Sequence, residues 1–185
     1  MCKSSYLIVI TIFFSCSTNK LVDTSEPNSY LLFSNVDSKF NYADSKSYVH
    51  YKDSKKTESL NDKIYSITEI IYSWGHQDKA YYRLDKGNVM YYDMKSDSET
   101  LIMPKDPKIG MMWKSQDGAW EYEIIDLDAK IETPVNMYSG LLAMKARQLL
   151  GRDVNKLAEY INYYEKGKGK IASFGNGKLM TYRVE

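Results

Sequence analysis

Between residues 108 and 185, apolar runs are cut at short intervals by glycine and Asp-Gly pairs, and this pattern constrains the fold more than any other feature of the chain. The stretch opens with Gly110-Met111-Met112-Trp113 and passes through Asp117-Gly118-Ala119-Trp120-Glu121-Tyr122. It closes with Tyr163-Tyr164-Glu165-Lys166-Gly167-Lys168-Gly169 and Gly175-Asn176-Gly177. Short runs bounded by turn residues read as strands, and a succession of them reads as a sheet folded back on itself. The chain's 17 tyrosines point the same way, because aromatic and β-branched side chains fit the half-buried pleated surface of a strand. A length of 185 residues gives one domain with a real core and leaves little room for a second.

Upstream of that stretch the pattern is similar. Tyr30-Leu31-Leu32-Phe33 and Tyr48-Val49-His50-Tyr51 read as short strands flanking a Ser-, Asp- and Asn-rich loop at residues 37–46, and residues 57–62 read as a second polar break. Residues 64–74 fit both periods: Ile67, Ile70, Ile71 and Trp74 have helical spacing, while Ile64, Ile70, Tyr72 and Trp74 share one face of a strand. Their Ile, Tyr and Thr content favours the strand. Residues 80–84 and 89–92 form a hairpin around Asp85-Lys86-Gly87-Asn88, where glycine supplies the positive φ of a tight turn. A second turn at residues 95–97 leads to Thr100-Leu101-Ile102-Met103, which Pro104 and Pro107 end.

Trp120, Tyr122 and Ile124 hold alternate positions, and then Ile125, Leu127, Ala129 and Ile131 hold the other set. Such a phase change predicts a bulge or strong bend, which lets a sheet curl. Leu142, Met144 and Ala146 share a face opposite Lys145 and Arg147. Residues 153–165 again fit two readings: Asp153 could cap a helix with the stripe Val154, Leu157, Ile161 and Tyr164, or the segment could be a strand. A terminal hairpin turns at Gly175-Asn176-Gly177. The sum is about ten strands in a mostly meandering order, too many for a flat open sheet. The predicted fold is therefore all-β: a curved, mostly meandering antiparallel sheet, half-barrel or barrel-like, after an N-terminal signal segment.

The N-terminus reads differently. Lys3 supplies a positive charge, and residues 6–14 form an apolar run too short to span a bilayer, the layout of an export signal. Both cysteines, Cys2 and Cys16, lie here, so no disulfide framework is available to the body. Phe13-Phe14-Ser15-Cys16 resembles a bacterial lipobox, in which the thiol is acylated and the signal is cut just before it. Phe13 departs from the usual leucine-like residue. The expected division is a signal peptide over residues 1–15, a polar tether over 16–29, and a single β domain over 30–185, with Cys16 as the lipidation site.

The ordered set Gly110-x-x-Trp113, Trp120-x-Tyr122, Thr133-Pro134-Val135, Tyr163-Tyr164-x-Lys166-Gly167-x-Gly169-x-Ile171 and Asn176-Gly177 resembles uncharacterised β-rich envelope proteins, often lipoproteins, of Bacteroidota and other Gram-negative bacteria. That resemblance implies a curved antiparallel sheet and envelope placement, with no catalytic residues to carry over. Glu165, Lys168 and Lys170 stand where such proteins more often have small or apolar residues; if these positions line a concave face, an apolar ligand pocket is disfavoured.

Little in the chain suggests reaction chemistry. A formal charge of +1, with both signs interleaved, argues against a nucleic-acid partner. His50 and His76 are isolated and lack the spacing of metal ligands. No serine sits in a Gly-x-Ser-x-Gly elbow, and Lys166-Gly167-Lys168-Gly169-Lys170 has the wrong spacing for a P-loop. Glu121, Glu123, Asp126 and Asp128 form an acidic strand that reads as a solvated edge. Each Tyr-Tyr pair, at 81–82, 91–92 and 163–164, must put one ring on either face of its strand. Trp113, Trp120, Tyr122, Tyr163 and Tyr164 are the candidate ligand or partner surface.

The expected function is that of a non-enzymatic, lipid-anchored envelope protein. It is expected to bind or support a lipid, a glycan or a partner protein, with no cofactor or metal. Its membrane contact is through acyl chains, at the outer membrane, and Ser17-Thr18-Asn19-Lys20, lacking acidic residues, favours the periplasmic face. The alternative is a hydrolase of envelope polymers using the carboxylates of residues 121–128.

Overall fold

The computed structural model describes residues 29–44, 46–151 and 153–184; the signal peptide, Cys16 and all but the last residue of the tether lie outside them. Twelve strands form one antiparallel sheet in the order β6-β5-β4-β3-β2-β1-β12-β11-β10-β9-β8-β7. In chain order they are β1 (Asp37–Tyr42), β2 (Tyr48–Leu60), β3 (Lys63–Tyr72), β4 (Gln77–Asp85), β5 (Asn88–Asp93) and β6 (Ser98–Met103). They continue with β7 (Met112–Lys114), β8 (Trp120–Glu132), β9 (Met137–Gln148), β10 (Glu159–Glu165), β11 (Gly169–Gly175) and β12 (Lys178–Arg183). Each strand pairs with its sequence neighbour except across β6 and β7, and the last strand pairs with the first through Phe40 opposite Arg183 and Tyr42 opposite Thr181. The sheet is a meander curled into a nearly closed barrel.

The seam falls between β6 and β7. Pro104 and Pro107 lie in the connection between them, and a residue without a backbone N–H cannot continue a ladder. Side chains bridge the gap instead: the Trp113 indole N–H donates to the Leu101 carbonyl at 2.7 Å, and the Gln116 N–H donates to Thr100 Oγ1 at 3.2 Å.

Tight turns set the register. At Lys86-Gly87 (φ 52° and 85°), Asn61-Asp62 (φ 45° and 61°) and Asn176-Gly177 (φ 50° and 72°), both central residues have positive φ, the backbone twist that suits a two-residue hairpin. The phase change in β8 appears as register shifts between Ile124 and Asp126, Asp126 and Ala129, and Ala129 and Ile131. These bend the long β8–β9 hairpin. The two ambiguous segments are strands: residues 64–72 lie in β3, and residues 159–165 form β10 after an irregular connection.

Three expectations require correction. Residues 30–33 are not a strand: Phe33 is buried in the interior cluster with Val89, Met103, Ile124, Leu142, Met144 and Tyr164, and Tyr30 and Leu31 pack against it. Phe33 stacks on Tyr82 at 5.7 Å, and the Gly167 N–H donates to the Ser29 carbonyl. The run therefore plugs one end of the barrel. The polar segment 37–46, expected as a loop, holds β1, because pairing on both edges stabilises it although few of its side chains are apolar. Residues 57–60, expected as a break, continue β2 past a bulge at Asp53 and Thr57.

Adjacent residues of β9 belong to opposite faces. Leu142 and Met144 join the interior cluster, whereas Leu141 and Ala143 join a second one on the outer face with Ala129, Ile171, Ala172 and Tyr182. A third, outer cluster gathers Tyr65, Ile67, Tyr81 and Tyr92. Beside it, Glu99 accepts hydrogen bonds from Arg83 Nη2, Lys63 Nζ and Tyr65 Oη, each at 2.7 Å, and from Arg83 Nε. Burial by itself would raise the Glu99 carboxyl; the hydrogen bonds from Arg83, Lys63 and Tyr65 outweigh it and bring the group down to about 2. A carboxyl whose folded value lies below its unfolded one stabilises the fold above the unfolded value, and that contribution is lost as pH falls through the folded one. Glu99→Gln is therefore expected to lower the urea midpoint at pH 7, and the gap from wild type to close between pH ~4.3 and ~2. A gap that stays constant over that range would contradict the assigned role.

A tyrosine-lined cavity as the candidate binding site

Alternation along the strands puts one set of side chains into the barrel. Toward the plugged end this set is aliphatic and closes into the interior cluster. Toward the other end it is aromatic and charged and leaves a cavity of about 1090 Å³. Met94 and Lys95 of the β5–β6 turn, Ser115 after β7, and Asp153 and Lys156 before β10 all line it, which places its mouth at the end opposite the plug. A smaller cavity of about 220 Å³ lies between it and the plug, lined in part by Leu31 and Leu32.

Rings dominate the wall of the large cavity: Tyr42, Tyr51, Tyr72, Tyr91, Trp120 and Tyr160 all contribute. Burial pushes the phenols of Tyr42, Tyr51 and Tyr72 up, so they stay neutral hydrogen-bonding groups. At the rim, Trp74 in the β3–β4 turn is 59 % exposed, with its ring 4.7 Å from that of Tyr72 and 5.9 Å from that of Tyr42. An exposed indole beside two cavity-lining phenols is a flat apolar platform at an entrance.

Acidic and basic side chains are balanced in the upper wall. Asp153, only 4 % exposed, accepts from the Trp120 indole N–H at 2.8 Å and from Lys95 Nζ at 2.7 Å. Lys156 Nζ lies 3.8 Å from it. This anchors the irregular β9–β10 connection against the wall and fixes the Trp120 ring. Deeper down, Lys170 projects from β11 into the space shared by both cavities, with Nζ 5.7 Å from the centre of the Phe40 ring. Burial lowers its ammonium to about 8.

The candidate surface read from the sequence is divided by the fold. Trp120 and Tyr122 line the cavity. Trp113 stacks on Tyr122 at 5.6 Å and holds the seam. Tyr164 is buried deep in the interior, beside the smaller cavity, whereas Tyr163 lies on the outer face, edge-on to Phe174 at 5.4 Å. Each Tyr-Tyr pair does split across the sheet: Tyr82, Tyr91 and Tyr164 face inward, and Tyr81, Tyr92 and Tyr163 belong to the other set. Lys170 meets the condition set for it in the sequence, since it does line the concave interior. Asp153 and Lys95 were missed; they lie 58 residues apart in the chain, and no local pattern joins them.

The acidic strand takes a different place. Glu121 pairs with Arg147 at 2.6 Å and Glu123 with Lys145 at 2.5 Å, across β8 and β9, and none of Glu121, Glu123, Asp126 and Asp128 lines the cavity. His50 pairs with Asp37 at 2.5 Å, and His76 with Asp78 at 3.3 Å. Among the described residues no cluster of three or more His, Cys, Asp and Glu could hold a metal ion.

Comparison with known proteins adds little. No family model matches the chain, and no curated protein matches it. Among solved structures it is similar to a presumptive lipoprotein from Parabacteroides distasonis ATCC 8503, with a TM-score of 0.38 and 13 % identity over 80 % of this chain and 91 % of that one. At that level the likeness assigns no function.

Proposed function

We propose that this chain is a lipid-anchored protein of the bacterial envelope whose barrel binds a saccharide in its open end. The observation that carries the reading is the cavity of about 1090 Å³, at the upper end of the ~300–1,000 Å³ range of small-molecule sites. Its wall discriminates among ligands. A site for an acyl chain is lined almost wholly by apolar side chains and excludes water, whereas this one intersperses Phe40, Val49, Ile70 and Met180 with phenols, carboxylates and ammonium groups. A sugar offers apolar C–H faces for rings such as Trp120, Tyr122 and Trp74, and hydroxyls for the polar groups between them.

The anchoring half of the proposal rests on Phe13-Phe14-Ser15-Cys16. Residues 30–33 enter at the plugged end, so a tether from an acylated Cys16 would leave the mouth pointing away from the membrane. The proposed role is binding, not catalysis, and the cross-strand pairing of Glu121 and Glu123 supports it over a hydrolase built on residues 121–128.

The test is titration of the purified protein with a neutral disaccharide, followed by tryptophan fluorescence. Saturable quenching is expected, and Trp120→Phe is expected to remove most of the signal. A flat titration with disaccharides, alongside saturable binding of dodecanoate, would replace the saccharide reading with a lipid one.

A further inference from the structure

Charge is distributed unevenly along the interior. In the large cavity the acidic residues Glu69, Asp78, Asp93 and Asp153 are matched in number by lysines. In the smaller, deeper cavity the only charged side chains among the described residues are Lys168, Lys170 and Arg183, and all are cationic. Lys168 has its own partner, with Nζ 3.2 Å from Glu165 Oε2. Arg183 donates from Nη1 to the Lys168 carbonyl at 2.6 Å, while its buried Nε has no hydrogen-bond partner among the described residues. Lys170 differs: among the described residues it makes no hydrogen bond or ion pair, and its ring contact with Phe40 is its only recorded interaction.

An enclosed ammonium without a counterion is unfavourable, because desolvation disfavours the charged form unless a negative group repays it. Lys170 is half-buried, and lysines withdrawn from water are normally paired for this reason. Beside Lys170, Asn162 also lines both cavities. Its side-chain carbonyl accepts from the Ser173 hydroxyl at 2.6 Å, and its amide N–H donors have no partner among the described residues. An ammonium and an amide, both with donors to spare, therefore line the floor of the large cavity on neighbouring strands.

We propose that Lys170 and Asn162 form an anion-binding floor, so that the ligand of this barrel is an acidic saccharide whose carboxylate docks there while its rings lie against the aromatic wall above. The proposal rests on the saccharide reading and narrows it. The carboxylate completes the pair that the fold leaves open, and a charge-assisted bond in an enclosed site is stronger than one in water.

The dependence on pH follows from the groups facing Lys170. Tyr51 of β2, Tyr82 of β4 and Tyr164 of β10 have phenols raised by burial and stay neutral. Arg183 of β12 stays charged in the range that matters, although burial lowers it. Lys170 therefore sets the response, and the preference for an acidic ligand should fade as pH rises through about 8.

The test compares a uronic-acid disaccharide with its neutral counterpart by isothermal titration at pH 6.5, using wild type, Lys170→Met and Lys170→Arg. Wild type is expected to bind the acidic sugar at least tenfold more tightly. Lys170→Met should bring the two affinities together, and Lys170→Arg should restore part of the difference. Because Lys170→Met removes an enclosed charge, its urea midpoint should match or exceed wild type, which separates lost binding from lost folding. Equal affinities in wild type, or a preference that survives in Lys170→Met, would overturn the acidic-ligand proposal and leave the saccharide reading standing. Binding of neither sugar would overturn both.

Discussion

Cys16→Ala is expected to abolish fatty-acid labelling of the chain and to move the protein from the membrane fraction to the soluble one. Each buried methylene of an acyl chain contributes ~0.8 kcal/mol to membrane binding, and two or more chains hold a protein stably where one does not. Among the described residues no helix is long and apolar enough to cross a membrane. Globomycin, which blocks cleavage at a lipid-modified cysteine, should cause the wild-type chain to accumulate as a precursor. Label that persists in the alanine variant, or wild type recovered without covalent lipid, would remove the anchor from the account.

Leu142→Ala is expected to destabilise the fold by about 2–5 kcal/mol, the range for truncating a fully buried leucine whose cavity cannot collapse. β9 carries four consecutive buried residues, with Leu141 and Leu142 both at 0 %, Ala143 at 2 % and Met144 at 1 % exposure. It carries interior and outer clusters on alternate residues, so relaxation toward the gap on one face pulls packing from the other. Val154, 85 % exposed in the β9–β10 connection, provides the contrast, and Val154→Ala should change stability by less than ~0.5 kcal/mol. Urea denaturation measures both. A Leu142→Ala midpoint close to wild type would mean that the interior cluster does not hold the barrel together.

How much of this could be read in the chain differs from element to element. The Asp85–Asn88 turn and the terminal Asn176-Gly177 turn are local, since positive φ is encoded by the residues that adopt it, and both lie where the sequence puts them. The bend in β8 was visible as the slip from Ile124 to Ile125. β1 was not visible: Asp37-Ser38-Lys39-Phe40-Asn41-Tyr42 forms a strand because β2 and β12 flank it, and neither flank is local information. The plug was misread for the same reason. Tyr30-Leu31-Leu32-Phe33 has the composition of a strand, yet the end of a barrel, not a sheet edge, takes up its apolar surface.

The binding site follows the same division. Trp120 and Tyr122 could be proposed from an aromatic run, and Lys170 stood out only against the family resemblance, as a charge where such proteins more often have a small or apolar residue. Asp153, assembled with Lys95 and Trp120 by closure of the barrel, has no such signature. Tyr163 and Tyr164, adjacent in sequence, ended on opposite faces. Strand alternation guaranteed the separation, and register with β9, which sets Tyr164 opposite the interior Leu142 and Tyr163 opposite the outer Ala143, decided which of the two faced inward.

Mapping amide shifts by NMR as a uronic-acid disaccharide is titrated into the isotopically labelled protein tests the central claim most directly. The account predicts that shifts concentrate on Trp120, Tyr122, Tyr160, Asn162 and Lys170, along the strands that wall the cavity, with Tyr65, Ile67 and Tyr92 of the outer cluster unmoved. Shifts confined to that outer cluster, with the cavity strands silent, would show that the barrel's interior is not where this protein meets its ligand.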